Sequence, residues 1–146
     1  MNTVRDLIKR SMKYLGVTMG AAELSGEDAE DALIELNGMI HEWAGDVTIK
    51  LDWVPADLTL NSQLPWITAA AAKTAQEQSQ RRALGTGVAA MLAVRLRPEH
   101  GEAPNPDLDQ MSRMGWSRLL SVYLAVQSSS PNHTLSRRPD GFGAIQ

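Results

Sequence analysis

Cysteine is absent from all 146 residues, which excludes a disulfide scaffold and a thiolate metal site and fits synthesis in a reducing compartment. Aromatic residues are scarce at 5%, and Ala and Leu dominate the apolar set, so helices are favoured over a β-sandwich. No apolar run approaches the roughly 18 residues that a membrane span needs. The opening MNTVRD runs straight into an amphipathic pattern, without the h-region of a signal peptide. A surplus of cations is missing too: the formal charge is −3. A nucleic-acid grip built on phosphate neutralisation is therefore disfavoured. The 43% of apolar residues nonetheless suffices for one packed core, and the length suits one domain. No internal repeat is visible.

Catalytic signatures are lacking as well. His41-Glu42 would need a histidine at position 45 to make a helical zinc motif, and Gly45 stands there. A helix-surface histidine is the expected role. His100 lies between Pro98 and Gly101 and is expected to cap a helix C-terminus. Glu27/Asp31 and Asp31/Glu35 are carboxylate pairs at four-residue spacing. They share one kind of environment, whereas acid–base work needs unlike ones. Gly85-Thr-Gly87 has no Gly-Lys-Ser/Thr ending and follows no strand, so it is no phosphate loop. There is no nucleophile elbow. The expectation is a non-enzymatic chain without metal or cofactor.

What the chain does have is strong helical patterning and a segregation of charge. Residues 1–15 carry Arg5, Lys9, Arg10 and Lys13 against Asp6 alone. Residues 21–46 carry eight acids and no Lys or Arg. Thr3 with Asp6 predicts a capping box, and Val4, Leu7, Ile8, Met12 and Leu15 one apolar stripe ended by Gly16. Arg5, Lys9 and Lys13 form a separate row for solvent or a partner. Ser25 with Asp28 opens a second helix, in which Ala29, Ala32, Leu33, Leu36, Met39, Ile40 and Trp43 repeat at 3.6 residues until Gly45. Its other face is acidic, with Glu27, Asp31, Glu35 and Glu42.

Between 47 and 65 the period drops to two. Ile49, Leu51 and Trp53 alternate with polar residues, as do Leu58 and Leu60, around a turn at Val54-Pro-Ala-Asp57. A β-hairpin or a pair of extended arms follows from this, lying on the helices or pairing with another subunit. Residues 67–78 are strong helix formers opened near Pro65. The Gly85/Gly87 pair leaves open one kinked helix or two before Leu96. Asn105-Pro106 opens the last helix, with an apolar face of Leu108, Met111, Trp116, Leu119, Leu120 and Tyr123. Trp43 and Trp116 are expected in the core, and Trp53 and Trp66 as contact anchors. From Gln127 the composition turns to Ser, Pro, Asn, Arg and Gly, which forms no core alone. The fold class is thus mainly α. A four- to five-helix bundle over 1–126 carries an arm at 47–66, a short β-hairpin or extended, and an extended C-terminal tail follows at 127–146.

Three segments, in order, resemble a known family. They are Thr3-Val-Arg-Asp-Leu-Ile-Lys-Arg-Ser-Met-Lys-Tyr-Leu-Gly-Val17, the stretch from Ser25 to Trp43 with its Ala-Leu-Ile-Glu-Leu-Asn-Gly-Met, and Val88-Ala-Ala-Met-Leu-Ala-Val-Arg-Leu-Arg-Pro-Glu-His-Gly101 with Pro104-Asn-Pro-Asp-Leu108. Together they cover about a third of the chain. They look like the opening helix, the acidic helix and the LAxRLAPEYG…PSPEL signature of the tail accessory, or packaged-DNA-stabilisation, family of phage head-to-tail adaptors. Arg97 and His100 stand where the signature has Ala and Tyr.

The resemblance implies a structural virion protein at the neck between head and tail, assembled in the host cytoplasm. It implies a homo-oligomeric ring, a dodecamer, below the portal protein, with a downstream tail or nozzle protein beneath and packaged DNA passing through without sequence-specific binding. By analogy, the tail residues Pro131, His133, Leu135, Arg137, Arg138, Phe142 and Ile145 would meet the portal. The arm residues Ile49, Leu51, Trp53, Leu58, Leu60 and Trp66 would face a neighbouring subunit or the tail component. The acidic helix would line the lumen or meet a basic partner surface. The alternative class is a small helical regulatory or DNA-binding protein, for which a basic recognition helix is expected.

Overall fold

Thr3 is extended and caps the first helix, α1 (Val4–Tyr14): its side chain accepts from the Asp6 amide at 3.2 Å, and the Asp6 carboxylate accepts from the Thr3 amide at 3.2 Å. A computed structural model describes residues 1–16 and 24–124 (the Ala72 side chain excepted). The first two amides of α1, which no helix can satisfy internally, donate to Ser62 O (2.9 Å, from Val4) and Leu60 O (3.1 Å, from Arg5). Val4, Leu7, Ile8 and Met12 are fully buried, and Gly16 follows at φ +74°. Ser25 likewise accepts from the Asp28 amide and starts α2 (Gly26–Gly45), which buries Ala29, Ala32, Leu36, Met39, Ile40 and Trp43.

The next helical stretch departs from expectation. Pro65 begins a single turn, α3 (Pro65–Thr68), continued by a 3₁₀ turn at Ala69–Ala72. The chain then breaks at Lys73, and Thr74 caps a new helix, α4 (Ala75–Leu96), through a second capping box with Glu77. The break therefore falls at Lys73–Thr74, and the two glycines lie inside one uninterrupted helix. Gly87 serves packing. A Cβ on Gly87 would fall 2.5 Å from the Cα of Gly115 on the last helix, α5 (Pro106–Tyr123), so the two backbones meet without side chains between them.

From Leu84 to Leu96, α4 is apolar almost all round, and Val88, Ala89, Ala90, Leu92, Ala93 and Leu96 are fully buried. Such a helix must be central. It packs on α5, α1, α2 and α3.

The corner between α4 and α5 forms as the sequence implies. Pro98 follows the last turn, the His100 backbone N–H donates to Leu96 O and Arg97 O, and Gly101 adopts φ +64°. Asn105 then accepts from the Asp107 and Leu108 amides. Arg97, one of the two departures from the family signature, donates to Asp109 Oδ1 at 2.6 Å and ties the end of α4 to the start of α5.

Residues 46–64 form an extended arm, and of the two forms expected there the β-hairpin is not found: among the described residues there is no β-strand, only single pairings of Thr3 with Gln63 and of Ile49 with Leu124. The arm's backbone groups are engaged elsewhere. Leu60 O and Ser62 O serve α1, Lys50 N donates to Tyr123 O at 2.8 Å, and Leu64 N donates to Asn2 O at 3.0 Å. The Asn37 side chain of α2 pairs with both backbone groups of Leu58, at 2.8 and 3.2 Å. Pro55 removes one further donor. Bonds to the helices and short local turns, such as Ile49 N to Asp46 O and Ser62 N to Thr59 O, thus take the place of a strand ladder.

Candidate interaction surfaces

The acidic face of α2 is a row at one-turn spacing. Glu27 and Asp31 are exposed and Glu35 half-buried, and among the described residues none of the three forms an ion pair. Glu42 differs. Both its oxygens accept from the Arg95 guanidinium of α4, which holds its carboxyl below the usual range. An apolar side chain lies in the midst of these acids: Ile34 is 68% exposed. Gly38, one turn on, leaves open space beside it.

On α1 the stripe of buried residues turns the cations outward. Lys9, Arg10 and Lys13, with Met1, Asp6 and Tyr14, line an open concavity of about 610 Å³. Asp6, whose carboxyl is held below the usual range by the Thr3 side chain and then the Asn2 amide, is the one anion in this lining and offsets part of the charge of its three cations. Arg5, Lys9, Arg10 and Lys13 form no ion pair among the described residues. A concavity here was not foreseen; the row of cations was its only trace in the sequence.

The arm residues fall into two groups. Ile49 (7% exposed) and Trp66 (1%) are buried within the chain, so an anchoring role of Trp66 towards a partner is corrected to a core role. Leu51, Trp53, Leu58 and Leu60 are half-buried against the same core. The arm's exposed apolar side chains are instead Val47 and Val54. Trp116 is a second correction: it is 37% exposed, because the Gly115 crossing turns the adjacent side chain off the helix contact. Trp116 lines a groove of about 360 Å³ with Met39, Trp43, Met91, Val94 and the Arg95–Glu42 pair.

One polar cluster fastens the arm. The buried Arg81 of α4 donates from Nη1 to Asp52 Oδ1 at 2.9 Å and to the Tyr123 hydroxyl at 3.2 Å, and its guanidinium lies 5.1 Å from the Tyr123 ring centroid. Trp53 Nε1 donates to the same hydroxyl at 3.4 Å, and Lys73 Nζ lies 3.7 Å from Asp52. The Arg81 hydrogen bonds hold the Asp52 carboxyl below its ordinary value and raise the guanidinium in turn, and burial pushes the Tyr123 hydroxyl up.

His41 Nε2 lies 2.9 Å from Asp57 Oδ1 on the surface. Among the described residues no three His, Asp or Glu side chains converge as a metal site would require, and no helix is long and apolar enough to cross a membrane. The tail residues Pro131, His133, Leu135, Arg137, Arg138, Phe142 and Ile145 lie outside the described residues. Neither protein-family models nor curated proteins match the chain.

Proposed function

We propose that this chain is a structural subunit of a tailed-phage neck, a head-to-tail adaptor that forms a ring below the portal, closes the DNA-filled head and offers the tail its attachment site. The observation that carries this reading is the coincidence of motif with architecture. The three segments that resemble the adaptor family fall on α1, α2 and the α4–α5 corner, which supply over half of the buried core. A mainly helical bundle is also what the family implies. The ring would use head-to-tail contacts between copies, and many weak contacts summed around it would secure the portal.

The test is assembly. Purified chain mixed with its portal should give a co-sedimenting ring complex by multi-angle light scattering. Deletion of residues 127–146 should weaken it at least tenfold. A chain that stays monomeric with the portal, and is indifferent to tail deletion, overturns the reading. The rival, a small DNA-binding regulator, draws on the four cations of α1. It predicts salt-sensitive duplex binding lost on reversing Lys9 and Lys13, against the field of the acidic α2.

A further inference from the structure

The described surface contains a cation-lined hollow and an acid-collared knob, on different helices of one chain. The hollow is the α1 concavity, lined by Lys9, Arg10 and Lys13 against the single acid Asp6, together with Met1 and Tyr14. The knob is Ile34, 68% exposed on the outer face of α2, flanked by Glu27, Glu30, Asp31 and Glu35. The rows Arg5/Lys9/Lys13 and Glu27/Asp31/Glu35 have the same four-residue spacing and length, so each places three charges about 6 Å apart along its helix. Among the described residues none of these six side chains forms an ion pair within the chain.

We propose that Ile34 of one copy seats in the α1 concavity of a second copy, with the acidic row of α2 lying along the cationic row of the receiving α1. This rests on the ring reading only for its closure; the contact itself is argued from opposite charge rows and from an exposed apolar side chain matched with an open hollow. It also chooses between the two places open to the acidic helix, an interface rather than the lumen. Exposed ion pairs are individually weak and screened by salt, so the apolar knob supplies affinity while the rows set register and salt dependence.

The experiment is sedimentation velocity on the full chain alone. Association is expected at about 50 mM salt and at least tenfold weaker at about 0.5 M, where the screening length has fallen severalfold. Lys9→Glu/Lys13→Glu should sediment as a monomer, and so should Asp31→Lys/Glu35→Lys. An equimolar mixture of these two variants should associate again, because the altered α1 of one now fits the altered α2 of the other. That rescue is an outcome misfolding cannot produce. Ile34→Ser should weaken the wild-type association about tenfold at either salt.

The proposal is overturned if the wild-type chain remains monomeric at low salt. It is equally overturned if the mixture associates no better than its components, or if Lys9→Glu/Lys13→Glu abolishes duplex DNA binding by a protein that never self-associates. A charge-dependent species that stops at a dimer upholds this contact and counts against the ring, so the two readings fail separately.

Discussion

The α4–α5 crossing and the arm at 46–64 hold the same core together by opposite means. At the crossing, Gly87 faces Gly115 with no side chain between the backbones. The arm has no regular structure; it seats Ile49 and Leu64 in the core, and polar groups fasten the rest: the Arg81–Asp52–Tyr123 cluster, the Asn37 amide and the first amides of α1. The Gly87–Gly115 contact is governed by shape. The arm adds charge and hydrogen bonding to its apolar contacts, and each polar fastening can be removed without emptying the core. Stability in this chain thus has a steric part and a chemical part, carried by different residues.

The largest expected effect lies at the crossing. Gly87→Leu puts a branched side chain where even a Cβ meets the Gly115 Cα at 2.5 Å, and backbone cannot yield as a flexible side chain does. A loss of about 3 kcal/mol or more is expected, the upper range for overpacking, read as a lower urea midpoint. Gly38→Ala is the control, since α2 offers open space there. It should raise stability by up to about 1 kcal/mol through helix propensity. Equal responses at the two glycines would mean that the crossing is not the steric contact described.

A smaller loss, about 2 kcal/mol, is expected from Arg81→Met, which leaves the Asp52 carboxylate with only Lys73 at 3.7 Å. The figure lies below that for breaking a fully buried pair because the Asp52 side chain is 29% exposed. The pair also has a pH signature. Arg81 depresses the folded-state value of Asp52 below its ordinary 3.8, so the contribution is complete above about pH 4. It falls away as pH drops through the depressed value, where the folded carboxylate at last takes up its proton. Stability curves of the wild type and Arg81→Met should therefore run parallel from pH 5 to 8 (roughly, by the carboxylate range) and converge below about pH 4. Curves that stay parallel into acid would remove Asp52 from the cluster.

Much of the crossing's surroundings was legible in the sequence, and almost none of the arm's fastening was. Thr3, Ser25 and Asn105 act as caps because their chemistry is local, and the apolar periods of α1 and α2 select the buried faces. The break at Thr74 was legible in principle, since Thr74-Ala-Gln-Glu77 is a capping box; helix-favouring neighbours masked it. The Gly85/Gly87 pair misleads for a related reason. Propensity alone marks a glycine as a weak point, whereas a close helix contact requires one, and only the partner Gly115 tells the two apart. Trp66 and Trp116 exchange their expected roles on similar grounds: burial follows from what packs above each ring, which periodicity does not encode. Among the proposed surfaces, the charge rows could be read directly, whereas the hollow in α1 and the exposure of Ile34 required the fold.

The finest test of the comparison is Asn37. Its carboxamide accepts from the Leu58 amide at 2.8 Å and donates to the Leu58 carbonyl at 3.2 Å, so one side chain stands in for the rung of a strand ladder. Asn37→Ala removes both bonds and leaves two half-buried backbone groups to find water, at a cost of about 1 kcal/mol. Because α2 keeps its caps and its apolar face, that cost should be local. Amide exchange at Leu58 should accelerate about fivefold or more, as 1 kcal/mol requires, while Leu36 and Ile40 on the buried face keep their protection. If exchange instead rises equally along α2, the arm and the helix open as one unit, and the separation of a chemical from a steric part of the fold is lost.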